Sequence, residues 1–358
     1  MQNLVAPEEK LQYRVIKPIL ASLFGLLAGG LFVLFTQSTP LEAYQALLTA
    51  GFGCQQSGNC AWLTTLQWST PLIFSGLAAA VSFRAGIFSI GQAGQMALGA
   101  AFAAWAGTLL QAPGVLHPIL ALSAAALIGA VWAFIPGMLK AVLGVNEIIS
   151  SLVMNNIAFF LISHIPMRRY IAVSARLAPL AHGTKLNSGF YLALAALLLV
   201  FLYLFRSGAG FSVRMSGQAP RFAQNAGMHR LRSIAAAMLL SGALAGLGGA
   251  VEVLGVHYHF VSNFSSLDYF DGLIVALLGQ THPIGIFFAS VFLGGVRLGS
   301  LNGLQLEAGI PRELGGVMIA IMVILMCADR LYRPLLVNLL ARWKAVPRIR
   351  DKTDRTDT

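Results

Sequence analysis

The chain has 358 residues, 57% of them hydrophobic and only 10% charged, with a mean hydropathy of +0.75 and a formal net charge of +11. A soluble domain carries roughly 25% charged residues. The composition therefore excludes a soluble globular enzyme and predicts an all-α polytopic membrane protein. Only helices satisfy their own backbone hydrogen bonds through repeated uncharged runs of about 20 residues in lipid. The basic excess is not a nucleic-acid footprint, because Lys and Arg fall at the termini and between apolar runs, where they act as topology signals.

In chain order, Met1 to Lys17 is polar and basic, and Ile16 to Thr36 is apolar. That run is longer than a signal-peptide core and no A-x-A site follows it, so it reads as a retained first span. Nine further apolar segments follow, at approximately 62–83, 88–110, 117–138, 147–165, 189–205, 233–255, 268–279, 283–299 and 313–333. Ten spans with an inside N-terminus return the C-terminus inside. The inside segments then hold Lys10, Arg14, Lys17, Arg84, Lys140, the Arg residues of 206–232 and the tail from Arg330; the outside loops hold only Arg168, Arg169, Arg176, Lys185 and Arg312. This asymmetry orients the chain. The loop Pro166 to Ser188, with four basic residues outside, is the discordant element. The resulting organisation is an N-terminal cytoplasmic segment at 1–15, a membrane domain at 16–333 and a basic cytoplasmic tail at 334–358.

One island interrupts this pattern. Arg206 to Arg232, RSGAGFSVRMSGQAPRFAQNAGMHRLR, holds five Arg and no Asp or Glu. It reads either as a solvated loop that sets orientation or as a surface shown to a cytoplasmic partner.

Ten spans divide into five and five, and an odd number per half would place the second half upside down, as in inverted repeats. The third span is broken early, over Phe88 to Gln95. The eighth is short, and Gly279 to Pro283 separates it from the ninth. Gly- or Pro-broken segments at matching positions point to a transport pathway, an ordinary tight hairpin being the other reading. Gly242, Gly246 and Gly249, and again Gly294, Gly295 and Gly299, allow close helix approach. Cys54 and Cys60 share one loop, where a disulfide and two unpaired thiols both fit the sequence.

Polar groups inside spans are costly and therefore informative. Gln92, Gln95, Asn155 and Asn156 are candidate pathway residues for an uncharged polar solute, and Asp271 is a weaker member with helix capping as its other role. Asn146, Glu147, Glu252, Arg297 and Asp329 lie near span ends, where capping, packing or snorkelling accounts for them. No G-x-x-x-x-G-K-[ST], H-E-x-x-H or G-x-S-x-G occurs, and His164, His257, His259 and His282 are too scattered for a catalytic cluster. The chain is expected to perform no covalent chemistry and to hold no cofactor. A channel would need a repeated polar filter, which is not present in the sequence.

Four stretches carry a family resemblance. They are Thr70 to Gly99 (TPLIFSGLAAAVSFRAGIFSIGQAGQMALG), Gly144 to Ala158 (GVNEIISSLVMNNIA), Ser241 to Gly255 (SGALAGLGGAVEVLG) and Phe270 to Gly279 (FDGLIVALLG), continuing through His282-Pro283-Ile284-Gly285. Together they resemble the permease subunits of bacterial ABC importers for simple sugars, nucleosides and branched-chain amino acids. The combination of FRAG-x-F, NE-x-I and FDG-x-x-VALLG looks most like the nucleoside and simple-sugar branch. The chain departs from that branch at Ala93, Asn156 and Gln224-Asn225, where an acidic residue, an aromatic and Arg-Tyr are common.

The resemblance implies alternating access driven by a separate cytoplasmic ABC ATPase, which binds the ATP. It implies a coupling helix in the island, with Gly217, Gln218, Ala219, Pro220, Arg221 and Gly227. It also implies an extracytoplasmic solute-binding protein, with Gln37 to Ala61 and Val256 to Leu267 as its candidate surfaces, a second permease chain (the same or a related one) and a place in the bacterial inner membrane. A branched-chain amino acid importer and an ion-coupled secondary transporter are the alternative readings.

Overall fold

The computed structural model describes residues 7–34, 39–54, 60–110, 112–164, 170–180, 184–260, 266–311 and 313–327. Arg168, Arg169, Arg312, Asp329 and the basic tail from Arg330 lie outside the described residues. Among the described residues the regular structure is helical. The helices are α1 (Pro7–Val33), α2 (Pro40–Phe52), α3 (Ala61–Arg84), α4 (Gln92–Leu109), α5 (Leu116–Leu143), α6 (Glu147–Ser163) and α7 (Gly189–Arg206). They continue with α8 (Gly208–Gln218), α9 (Pro220–Asn225), α10 (Arg230–Glu252), α11 (Ser266–Leu278), α12 (Pro283–Gly299) and α13 (Glu313–Cys327). Helices α10 and α12 run on as π-helical turns over Val253–His257 and Ser300–Glu307.

Each of the ten apolar segments coincides with a helix. Five of the helices, α3, α5, α7 and the extended α10 and α12, are long and apolar enough to cross a bilayer. Shorter apolar helices lie at Pro18–Val33, Glu147–Ser163 and Glu313–Leu325. The exception to the expected layout is α2, which falls where the sequence reads as an outer loop. Its start is a capping box: the Thr39 hydroxyl accepts from the Glu42 amide, the Glu42 carboxylate accepts from the Thr39 amide, and Pro40 occupies the first turn. Its buried face, Ala43, Leu47 and Gly51, packs on α12 and the π turns beyond it. At the end of α2 a disulfide joins Cys54 to Cys60.

Helix α10 is the axis of the bundle, packed against α3, α4 and α5. Lipid gives helices no hydrophobic reason to associate, so close van der Waals contact has to hold them. The small residues of α10 provide that contact. A Cβ on Gly242 would lie 2.1 Å from the Gly129 carbonyl oxygen, one on Gly246 2.2 Å from that of Ala125, and one on Gly249 2.0 Å from that of Met96. The glycine pattern is thus used inside this chain, with two positions facing α5 and one facing α4.

The helices define two ends. At one, α8 meets the last turn of α3, and the Arg84 side chain reaches Thr281 between α11 and α12. At the other, residues 170–177 pack across the ends of α4 and α10: the Ile171 amide donates to Tyr258, Ala172 to Gly107 and Leu177 to Leu254. His117 at the start of α5 completes this end, bonded to Ser174 and to the Ala106 carbonyl. The discordant loop therefore sits opposite the basic island. Arg176 is held there by a specific partner, its guanidinium lying 4.7 Å over the Tyr258 ring while its Nε donates to Ile171.

Leucine at Gly249 is expected to cost about 1–3 kcal/mol or more through overpacking, because a carbonyl cannot move out of its way. Alanine at Gly208, which has nothing within 4 Å, should cost little beyond the norm for an exposed helix residue. Melting of the detergent-solubilised proteins measures the difference, and equal midpoints would exclude backbone contact along α10 as the packing constraint.

Candidate functional site

The α3–α4 connection is a break in depth. Helix α3 ends at Arg84, residues 87–90 run without regular structure, and α4 begins only at Gln92. The broken backbone is satisfied by α6. The Ile90 amide donates to the Ser151 hydroxyl at 3.1 Å, the Ile90 carbonyl accepts from Asn155 Nδ2 at 2.8 Å, and the Gly94 amide donates to Asn155 Oδ1 at 2.9 Å. The Gly91 amide is taken by the Ser89 hydroxyl. Ser151 and Asn155 stand one and two turns into α6, so α4 starts about 12 Å above the first residue of α6 at 1.5 Å per residue. Asn155 is thus a bolt across the break with both ends of its amide engaged.

Gln92 and Gln95 behave differently. They are 2% and 1% exposed, and Gln92 Nε2 and Gln95 Oε1 have no hydrogen-bond partner. Ser75 of α3, against Gly272 of α11, is buried with an unpartnered hydroxyl as well. Each such orphan costs about 1–3 kcal/mol, so three of them near the broken hairpin call for an explanation in function.

The structure separates the other expected residues. Asn156 lies on the exposed face of α6, turned away from Asn155, with its Nδ2 returned to the Leu152 carbonyl. Asp271 is buried and pairs with Arg297 of α12, so it neither caps α11 nor leaves Arg297 to snorkel. The interruption after α11 is a tight turn rather than a break in depth. Gln280 and Thr281 have φ of 51° and 54°, and the Thr281 amide closes the turn on Ala276. Glu147 at the start of α6 pairs with Lys140 across the α5–α6 turn, while Asn146 caps the helix.

The island folds into α8 and α9. Ser207 caps α8 by accepting from the Gly210 amide, and Pro220 opens α9. Gly210, Val213, Ser216 and Ala223 face the bundle. Gln218, Arg221, Phe222, Gln224 and Gly227 are exposed, with Ala219 and Pro220 half-buried between them. An open groove of about 520 Å³ runs along this tip, lined by Ala219, Pro220, Arg221, Phe222, Gln224 and Arg230. Gly217 belongs to the inner side: a Cβ there would lie 2.4 Å from the Arg84 carbonyl oxygen and 2.6 Å from the Gly86 nitrogen. Ser151 and Phe222 are the residues that sequence reasoning missed. Ser151 precedes Asn155 by one helical turn, and Phe222 is the aromatic next to the most polar part of the island; both spacings were visible.

Residues 61–327 match the family model described as the permease component of the branched-chain amino acid transport system. The chain belongs to this permease family. It is 35% identical over 331 residues to the guanosine ABC transporter permease protein NupP of Bacillus subtilis, covering 88% of this chain and 93% of that one. It is 31% identical to the nucleoside ABC transporter permease protein NupB of Lactococcus lactis, over 87% and 90% of the two chains. The glucose ABC transporter permease protein TsgB13 of Haloferax volcanii is 29% identical, over 88% of each. No solved structure matches the chain.

Two of the permease's buried amides, Asn155 and Gln95, give opposite expectations for leucine. Asn155→Leu strands the Ile90 carbonyl and the Gly94 amide and should destabilise the solubilised protein by about 2–6 kcal/mol, at about 1–3 kcal/mol per stranded group. Gln95→Leu removes an orphan and should leave the melting midpoint unchanged or raised. Thermal denaturation of both variants checks this, and equal losses of stability would contradict the bolt assigned to Asn155.

Proposed function

We propose that this permease is the membrane subunit of an ABC importer for a nucleoside or simple sugar. In this reading ten spans cross the bacterial inner membrane, arranged five and five, with both termini and the island in the cytoplasm. The observation that carries the coupling role is the island tip: an exposed Phe222 beside a basic groove with no acidic residue in the whole segment. An apolar anchor ringed by cations fits a separate protein subunit with a complementary acidic rim. The chain has no P-loop of its own, so that subunit would be the ATPase. The names of the relatives favour a nucleoside over a branched-chain amino acid as cargo, with a sugar as the second choice.

The route would pass the unpartnered amides of Gln92 and Gln95. They can exchange water for hydrogen bonds with an uncharged solute without holding it as a charge would. Asn156 lies on a face of α6 otherwise rich in apolar groups, where an amide in lipid is costly. A second permease chain against α6 would cover it. A solute-binding protein would meet the opposite end, near α2 and residues 170–177.

Phe222→Asp should abolish co-purification of the ATPase and all uptake while membrane insertion persists. Retained ATPase would exclude the tip as the docking surface. Orientation is tested in a Cys327→Ser background with a thiol reagent that does not cross membranes. Val173→Cys should label in intact cells and Asn225→Cys only after permeabilisation; the reverse pattern would invert the topology. Cargo class is read from competition for uptake by unlabelled guanosine, uridine, ribose and leucine. Competition by leucine alone would favour the amino acid reading.

A further inference from the structure

Arg84 is the second residue of the FRAG stretch, Phe83 to Gly86, and the transport reading gives it no task beyond that of an inside positive charge. Its surroundings are far more specific. Its Nε donates to the Thr281 carbonyl at 2.8 Å, and its guanidinium lies 4.8 Å over the ring of Phe205 in the last turn of α7. Arg214 of α8 lies 5.2 Å over the same ring, and the His282 ring is 5.0 Å from it. On the backbone side, Gly217 at the end of α8 sits against the Arg84 carbonyl and against Gly86, so closely that neither glycine has room for a Cβ. Gly86, at φ +79°, then leads into the segment that ends at Gln92. Gln280 and Thr281 hold left-handed conformations that non-glycine residues adopt only when their surroundings impose them. The bond from Arg84 is one such imposition.

Three elements therefore converge on one residue: the island helix α8, the α3–α4 break and the α11–α12 turn. We propose that Arg84 is a positioning residue that joins these three into one mechanical unit, so that movement of α8 by the ATPase reaches both hairpins of the transport domain together. This rests on the coupling reading of the island. A topology signal alone would be served equally well by Lys, whereas a stacked, directed guanidinium would not, because an ammonium has no planar face and no fixed fork.

The test uses the full importer, reconstituted in proteoliposomes with its ATPase and its solute-loaded binding protein. Arg84→Lys and, separately, Gly217→Ala are compared with Gly208→Ala, a change on the same helix that meets nothing. The first two variants should keep wild-type ATPase co-purification and basal hydrolysis. They should lose at least tenfold in uptake and lose stimulation of hydrolysis by the loaded binding protein. Gly208→Ala should behave as wild type. Uptake within twofold of wild type in Arg84→Lys would overturn the proposal. So would loss of the ATPase from Arg84→Lys, which would make Arg84 part of the docking surface. If Gly217→Ala does not accumulate, Arg84→Lys decides alone. Failure of the coupling reading itself would appear elsewhere, as ATPase retained by Phe222→Asp.

Discussion

Helix α10 touches its neighbours through backbone atoms, and the rest of the permease is arranged around that contact. In lipid, apolar side chains gain nothing by leaving the solvent for one another, so association depends on how closely helices approach. Glycine against carbonyl is the closest approach available, and α10 makes it with both α4 and α5. One consequence is rigidity. A core held by backbone contact has no side-chain rotamers to absorb a displacement, so movement within α4, α5 and α10 must be movement of the whole block.

What lies at the edge of that block is held differently. The α3–α4 break is fastened to α6 by two side chains, Ser151 and Asn155, and to α8 by the Gly86–Gly217 contact. Lipid cannot satisfy a broken backbone, so the break exists only where α6 supplies donors and acceptors at the right height. The same requirement explains why polar residues occur where they do on α6. Asn146 caps the helix and Ser151 and Asn155 serve the break, whereas Asn156 bonds only back to its own helix, at Leu152.

Much of this was legible in the sequence. Ten apolar segments coincide with ten helices because the signal, long uncharged runs between basic loops, is set by bilayer thickness rather than by tertiary context. The capping box at Thr39 to Glu42 was equally visible, yet the following segment is only moderately apolar and its partner surface lies far away in α12, so it read as loop. Asn155 and Asn156 illustrate the limit more sharply. Adjacent residues on a helix point about 100° apart, and sequence alone gives no way to know which one faces the protein. Asp271 and Arg297 are separated by a turn and most of a helix, and neither residue's own neighbourhood signals the pairing. The discordant Arg176 shows the converse: a charge rule counts residues, whereas a stacking partner such as Tyr258 can retain a cation at either end.

The α3–α4 and α11–α12 hairpins, which the five-and-five pattern would make equivalent, are chemically unequal. The first carries neutral polar groups without partners, Gln92 and Gln95 where α4 begins after a backbone break, and Ser75 further along α3, against α11. The second carries a charge already neutralised, Asp271 against Arg297, and ends in a shallow turn whose backbone bonds close on themselves. An unsatisfied amide is a state that hydration or a solute would relieve, while a paired carboxylate is one that a solute would have to disrupt. Uncharged cargo therefore has something to gain at the first hairpin and little at the second. In a rigid bundle, this places the polar supply for a proposed route on the hairpin that Asn155 fastens and Gly86 joins to α8, where a small opening would exchange orphaned groups for hydrogen-bonded ones.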